Sequence, residues 1–171
     1  MNEKQEIKQK FEEGIRAFVS RNYSEATRCF SEVIDMAPDF TLAYISRGTA
    51  YNRMDKIDKA MADYNRALSL KPDYPRAYHL RALLYEKKGE DEKAMADLNR
   101  ALELDPEYGA AYYSRAALHA KSGAEEQARD DISMVTMLTE QNISAFANEN
   151  NIWRSHHLRL EAEGIADVMN R

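Results

Sequence analysis

The sequence predicts an all-α chain built from about four stacked helical hairpins. Three observations carry that prediction. The segment KAMADYNRALSLKPDY, beginning at Lys59, returns as KAMADLNRALELDPEY at Lys93, 34 residues later. Pro38, Pro72 and Pro106 keep the same step, as do Ala26, Ala60, Ala94 and Ala128. Apolar residues inside a unit fall three, four and seven apart, which marks one face of a helix. A repeat of this length signals a stacked architecture in which each unit covers its neighbour's apolar face.

Residues 1–140 hold the four units, at about 7–40, 41–74, 75–108 and 109–141, and residues 142–171 follow as a tail. Unit two shows the pattern most plainly, with Tyr44, Ala50 and Tyr51 in its first helix and Ala60, Tyr64, Ala67 and Leu68 in its second. The break between them falls at MDKID, and in the next units at KKGED and KSGAE. Gly89 and Gly123 suit those turns because glycine accepts left-handed backbone angles freely. The prolines sit between units and stop each second helix. An aromatic residue follows two positions after each: Phe40, Tyr74 and Tyr108.

In the tail, Ile143, Phe146, Trp153, Leu160 and Val168 recur at near-helical spacing. An array needs its last apolar face covered, so the tail reads as a capping helix, kinked around Asn150-Asn151. The alternative is a degenerate fifth hairpin, since Ala145, Phe146, Trp153 and Ala162 fall in register with the repeat. Were Trp153 and Leu160 exposed instead, the tail would be a handle for a homodimer or another partner.

These units resemble the tetratricopeptide repeat family. Its pattern is a large residue, Leu-Gly and Tyr in the first helix, Ala and Phe in the second, then Pro. Unit two supplies Tyr44, Arg47-Gly48, Tyr51, Ala60, Tyr64 and Pro72; unit three Tyr78, Arg81-Ala82, Tyr85, Ala94, Leu98 and Pro106. Unit four departs at its end, with Glu140 in the proline slot, and unit one has Lys10 in the large-residue slot. The resemblance implies a right-handed α-α superhelix whose first helices line a concave, peptide-binding groove. Gly48, Ala82 and Ala116 are expected to let the two helices of a hairpin approach closely.

One departure is informative. Where the family has Leu before Gly, this chain has Arg47, Arg81 and Arg115, and sixteen residues later Asp63, Asp97 and Asp131. Unit one lacks both, with Glu13 and Cys29 in their places. Arg and Asp come and go together, so an Arg–Asp bond is expected to tie the helices of units two to four. Cys29 then reads as a half-buried packing residue, not a nucleophile.

Nothing in the sequence points to catalysis. His156 and His157 are adjacent, so on a helix they point about 100° apart and share a metal poorly. His79 and His119 sit in first helices, and His119 fills a slot held by Tyr51 and Tyr85 elsewhere. There is no metal-binding His pair, phosphate loop or nucleophile elbow. No enzymatic activity, metal or cofactor is expected. One cysteine allows no internal disulfide, and a net charge of -5 disfavours nucleic acid. No stretch reaches the roughly 18 apolar residues of a membrane span, and a cytoplasmic location is expected.

The groove slots implied by the resemblance hold Phe11 and Ile15 in unit one, and Leu42, Ile45, Thr49, Asn52 and Arg53 in unit two. Unit three offers Arg76, His79, Leu83 and Lys87, and unit four Tyr113 and Lys121. Phe11, Ile15, Leu42, Ile45 and Leu83 would form an apolar patch, and Arg53, Lys87 and Lys121 a basic column one unit apart. Some family members clamp a chaperone's terminal carboxylate with basic and amide groups. Those slots here hold Phe11, Ile15, Ser46, Arg76 and Leu80, of which only Arg76 fits. The expected function is a scaffold binding a peptide segment of an unidentified protein. The alternatives are self-assembly through the terminal helix, and a chaperone for a secreted or membrane protein.

Overall fold

The computed structural model describes residues 2–149, and among them the chain is helical with no strand. Eight helices follow in order: α1 (Glu3–Val19), α2 (Tyr23–Met36), α3 (Thr41–Arg53), α4 (Ile57–Leu70), α5 (Pro75–Lys87), α6 (Asp91–Leu104), α7 (Gly109–Lys121) and α8 (Glu125–Glu149). Each helix packs on the next. The odd-numbered helices also touch one another, α1 with α3, α3 with α5 and α5 with α7, whereas among the described residues the even-numbered helices do not. The array therefore bends toward its odd-numbered side and leaves a groove there.

The turn inside each hairpin passes through one left-handed residue: Arg21 (φ 60°), Asp55 (φ 58°), Gly89 (φ 73°) and Gly123 (φ 78°). Between hairpins, α2, α4 and α6 stop two residues before Pro38, Pro72 and Pro106. The hydroxyls of Tyr44 and Tyr78 donate to the carbonyls of Pro38 and Pro72 at 3.1 Å, tying those turns to the following helix.

The small slot of each first helix is matched to the residue it faces. A Cβ on Gly14 would meet the Phe30 ring at 2.6 Å, and one on Gly48 would meet the Tyr64 ring at 2.7 Å. In units three and four the slot is Ala82 and Ala116, and the positions equivalent to those rings are Leu98 and Ile132. Glycine thus stands where the partner is aromatic and alanine where it is aliphatic.

The expected Arg–Asp ties are present and bidentate. Arg47 donates to Asp63 at 2.9 and 2.7 Å, Arg81 to Asp97 at 2.7 and 2.8 Å, and Arg115 to Asp131 at 2.9 and 2.6 Å. The third nitrogen, Nη1, reaches back into the preceding unit, to Ser31 (3.0 Å), Asn65 (2.8 Å) and Asn99 (2.8 Å) respectively. Arg47 also lies over the rings of Tyr44 and Tyr51, and Arg81 over Tyr78 and Tyr85. In unit four, Arg115 lies over Tyr112, and His119 takes the second tyrosine's place with Nε2 3.9 Å from Asp131. All three carboxylates are buried, and their hydrogen bonds raise the arginines above their ordinary pKa.

Unit one uses a different device. Lys10 reaches both Glu13 and Glu32 at 3.1 Å in a partly exposed cluster. Cys29 was expected to be half-buried and is fully buried, at 1% exposure. Its thiol lies 3.7 Å from the Glu25 carboxylate but is closed off from solvent, and it packs as a small apolar group. Burial first, and then the Glu25 carboxylate, push its pKa up.

Helix α8 has 25 residues, against 14 in each of α2, α4 and α6. It continues without a break past residue 141, so Ala145 and Phe146 belong to its backbone and not to a new first helix. Trp153, His156, His157, Leu160, Ala162 and Val168, and the Asn150-Asn151 kink, lie outside the described residues. No described helix is long and apolar enough to cross a membrane.

Candidate functional site

The groove on the odd-numbered side contains two hollows. The first encloses about 120 Å³ and is floored by Phe30 and Ile45 and walled by Ile15, Phe18 and Leu42. Ser46, Thr49 and Arg76 complete its lining. Ile15 is 40% exposed and Leu42 42%, so two large aliphatic side chains face the opening. An apolar cavity of ~150 Å³ accepts a benzene ring, so this smaller, open hollow suits one aliphatic side chain. Arg76 is exposed and makes no salt bridge among the described residues.

The second hollow is polar and begins at Thr49, which both share. Asn52, Arg53, Leu80, Leu83, Glu86, Lys87 and Lys121 complete it. Two cations of the basic column are engaged within the fold. Lys87 Nζ donates to Asn52 Oδ1 at 2.7 Å, and Lys121 pairs with Asp91 at 2.6 Å. A neutral amide leaves the Lys87 charge standing, whereas Asp91 offsets that of Lys121. The positive character of the groove therefore rests on Arg53, Arg76 and Lys87.

Three groove residues expected from the slot pattern are turned to internal packing. Phe11 packs on the rings of Phe30 (5.5 Å) and Phe40 (5.2 Å). Ile45 is 3% exposed and forms the floor of the first hollow. His79 is 8% exposed, with Nδ1 3.0 Å from the Tyr108 hydroxyl and Nε2 2.9 Å from the Ser114 hydroxyl. The reason is the same for the last two: the next odd-numbered helix closes over that slot. Burial, helped by the positive Arg76, lowers the His79 pKa. Tyr113 is 64% exposed and lines neither hollow, but a third one at the far end with Ala117 and Ile132. Phe30 lines the first hollow from a second helix, where a pattern drawn on first helices gives no sign of it.

Among the described residues no group of three or more His, Cys, Asp or Glu side chains could hold a metal ion. Buried side-chain polar atoms among them all have partners. What the groove offers is an apolar socket, several cations and hydrogen-bonding groups along about three units.

Comparison with known proteins agrees with this geometry. A TPR repeat family profile matches residues 48–89, and a tetratricopeptide repeat profile matches residues 75–108. The chain is a tetratricopeptide repeat protein. Among solved structures, this repeat protein is similar to MamA, with a TM-score of 0.73 at 20% identity over 81% of each chain. It is similar to the first TPR domain of Spaghetti (RPAP3) bound to the HSP90 peptide SRMEEVD, with a TM-score of 0.66, 28% identity, 70% of this chain and 94% of that one. A tetratricopeptide repeat protein from Parabacteroides merdae matches with a TM-score of 0.70 at 24% identity, over 80% of this chain and 54% of that one. The fold is that of a protein–protein interaction scaffold, and its relatives are typically non-enzymatic.

Proposed function

We propose that this tetratricopeptide protein holds an extended segment of a partner protein along the odd-numbered groove, with one apolar side chain seated in the first hollow. The observation that carries the reading is that hollow, with Ile15 and Leu42 open to solvent above a floor of Phe30 and Ile45. Exposed apolar surface of this kind marks a contact site. The RPAP3 domain, similar in fold over 70% of this chain, is one that holds a peptide. The ligand here would differ from one held mainly by its terminal carboxylate. Four of the five clamp slots are Phe11, Ile15, Ser46 and Leu80, and only Arg76 is a cation. Arg76 and Arg53 would add attraction for acidic groups flanking the apolar anchor.

Affinity purification from cell extract followed by mass spectrometry tests the reading. The native chain should retain a partner that Leu42→Glu loses and Arg76→Glu retains more weakly. A partner held equally by all three forms would place binding elsewhere.

A further inference from the structure

The joints between neighbouring units are sealed at one repeated slot, but with different chemistry. The slot lies on a first helix and meets the aromatic residue that follows the next proline. Phe11 fills it against Phe40 in the first joint, with ring centroids 5.2 Å apart. Ile45 fills it in the second, in one apolar cluster with Tyr74 and Leu80. In the third, His79 meets the Tyr108 ring edge-on at 5.2 Å. Both ring nitrogens are spent on hydroxyls, Nδ1 on Tyr108 at 3.0 Å and Nε2 on Ser114 of α7 at 2.9 Å. Ser114 stands where the second joint has Leu80. The histidine and the serine thus replace an apolar pair together.

A neutral imidazole has one N–H and one lone pair, so it satisfies both hydroxyls, accepting from one and donating to the other. Protonation makes both nitrogens donors, and the hydroxyl that had donated must turn its hydrogen away. It also places a full charge at a buried site, with no carboxylate bonded to the ring among the described residues. Arg76 faces the ring from its own helix and opposes the charge. The charged side chains of the surrounding elements are committed elsewhere. Arg47 on α3, Asp97 on α6 and Arg115 on α7 are bound in the Arg–Asp ties. Asp105, in the turn before α7, takes the Glu107 amide at 3.0 Å, and Arg53, Glu86 and Lys87 line the second hollow. A charged ring reaches water only if α7 lifts from α5. We propose that His79 makes the third joint proton-sensitive, so that mild acid releases unit four from unit three while the first two joints hold. Repeat units are held by their own packing and by the contact with each neighbour, so one joint can open without unfolding the rest. The second hollow is lined by α3, α5 and, through Lys121, α7, so it loses a wall when this joint opens. Acid-driven release of a bound segment is a consequence that rests on the groove reading; the opening itself does not.

Hydrogen exchange read by mass spectrometry on the intact chain, from about pH 7.5 to about pH 5 and corrected for intrinsic rates, follows each joint separately. Below about pH 6.5, the proton taken up on opening should raise the opening constant of the α7 amides by up to about tenfold per pH unit. That of the α3 amides should stay level. His79→Ile with Ser114→Leu copies the second joint, and it should keep the neutral-pH circular dichroism and abolish the α7 rise. A level α7 in the native chain overturns the proposal. So does a rise shared equally by α3, since the whole array would then be unfolding, and so does an α7 rise that survives in the double variant. The His79 imidazole resonances, assigned by their loss in His79→Gln, give a check that needs no stable double variant. Titration at or above about pH 6.5 in the folded chain also overturns the proposal. No partner enters these measurements, so the groove reading stands or falls on its own test.

Discussion

Arg81→Leu restores the residue type usual for this family at that slot, and it should nevertheless destabilise this chain. The Asp97 side chain is 10% exposed and takes two hydrogen bonds from Arg81, at 2.7 and 2.8 Å. Leucine would remove both and leave a buried carboxylate unpaired, along with Asn65, which accepts from the same guanidinium. Breaking a buried pair from one side costs about 3–5 kcal/mol. The arginine keeps 20% of its side chain in solvent, so the lower end, about 3 kcal/mol, is the appropriate figure. At 2–4 °C per kcal/mol for a chain of this size, Tm should fall by about 6–12 °C. The double variant Arg81→Leu with Asp97→Leu removes the stranded charge, and an apolar replacement of a buried pair is often neutral or better. It should recover most of the loss. Thermal melts of the four proteins, read by circular dichroism, form the cycle. If both single variants cost less than about 1 kcal/mol, as exposed pairs do, or if the double variant is the worst of the set, the buried-tie argument is refuted.

Three further outcomes follow from the packing. Gly48→Ala should cost about 1–3 kcal/mol by overpacking against Tyr64, and adding Tyr64→Leu, the unit-three pairing, should return part of it; a melt in which the second change only worsens the first would reject the match. His79 is held below the ordinary histidine value of 6.5 by burial, so the unfolded chain binds its proton first as pH falls. Its contribution to stability is complete above about pH 6.5 and is lost as pH drops toward the folded-state value. His79→Gln should flatten the Tm–pH curve below pH 6.5, and an unchanged slope would assign that acid loss to other groups. Cys29 is buried with a raised pKa, so iodoacetamide should spare it in the folded protein and label it in denaturant; mass spectrometry showing fast labelling of the native chain would contradict that burial.

The hairpins and the Arg–Asp ties were legible in the sequence because each is a pairing at constant separation, repeated with its partner or absent with it. The left-handed turns were half legible. Gly89 and Gly123 announce themselves, whereas Arg21 and Asp55 adopt the same angles under compulsion from the packed helices on either side. The groove was less legible. A slot pattern says which way a side chain leaves its own helix, but not whether a neighbouring helix closes over it. That closure turned Ile45 and His79 inward and left Ile15 and Leu42 outside. The change from Gly at positions 14 and 48 to Ala at 82 and 116 stood in the sequence as well, but its cause, aromatic against aliphatic partners, emerges only once the facing helix is in place.

The backward reach of each arginine divides the units into interchangeable and terminal kinds. Units two and three each carry an Arg–Asp pair for themselves and an asparagine, Asn65 or Asn99, for the arginine that follows. Either could be duplicated in tandem and every joint would still close, lengthening the groove by a whole unit. Unit one can only begin an array, since it offers Ser31 forward but has Glu13 where an arginine would reach back. Unit four presents Ser133 at the asparagine position, and like Ser31 it donates its hydroxyl to its own helix while keeping lone pairs that could accept from a following arginine. The place of the first hairpin is thus written into its joint, where Glu13 stands in the arginine slot.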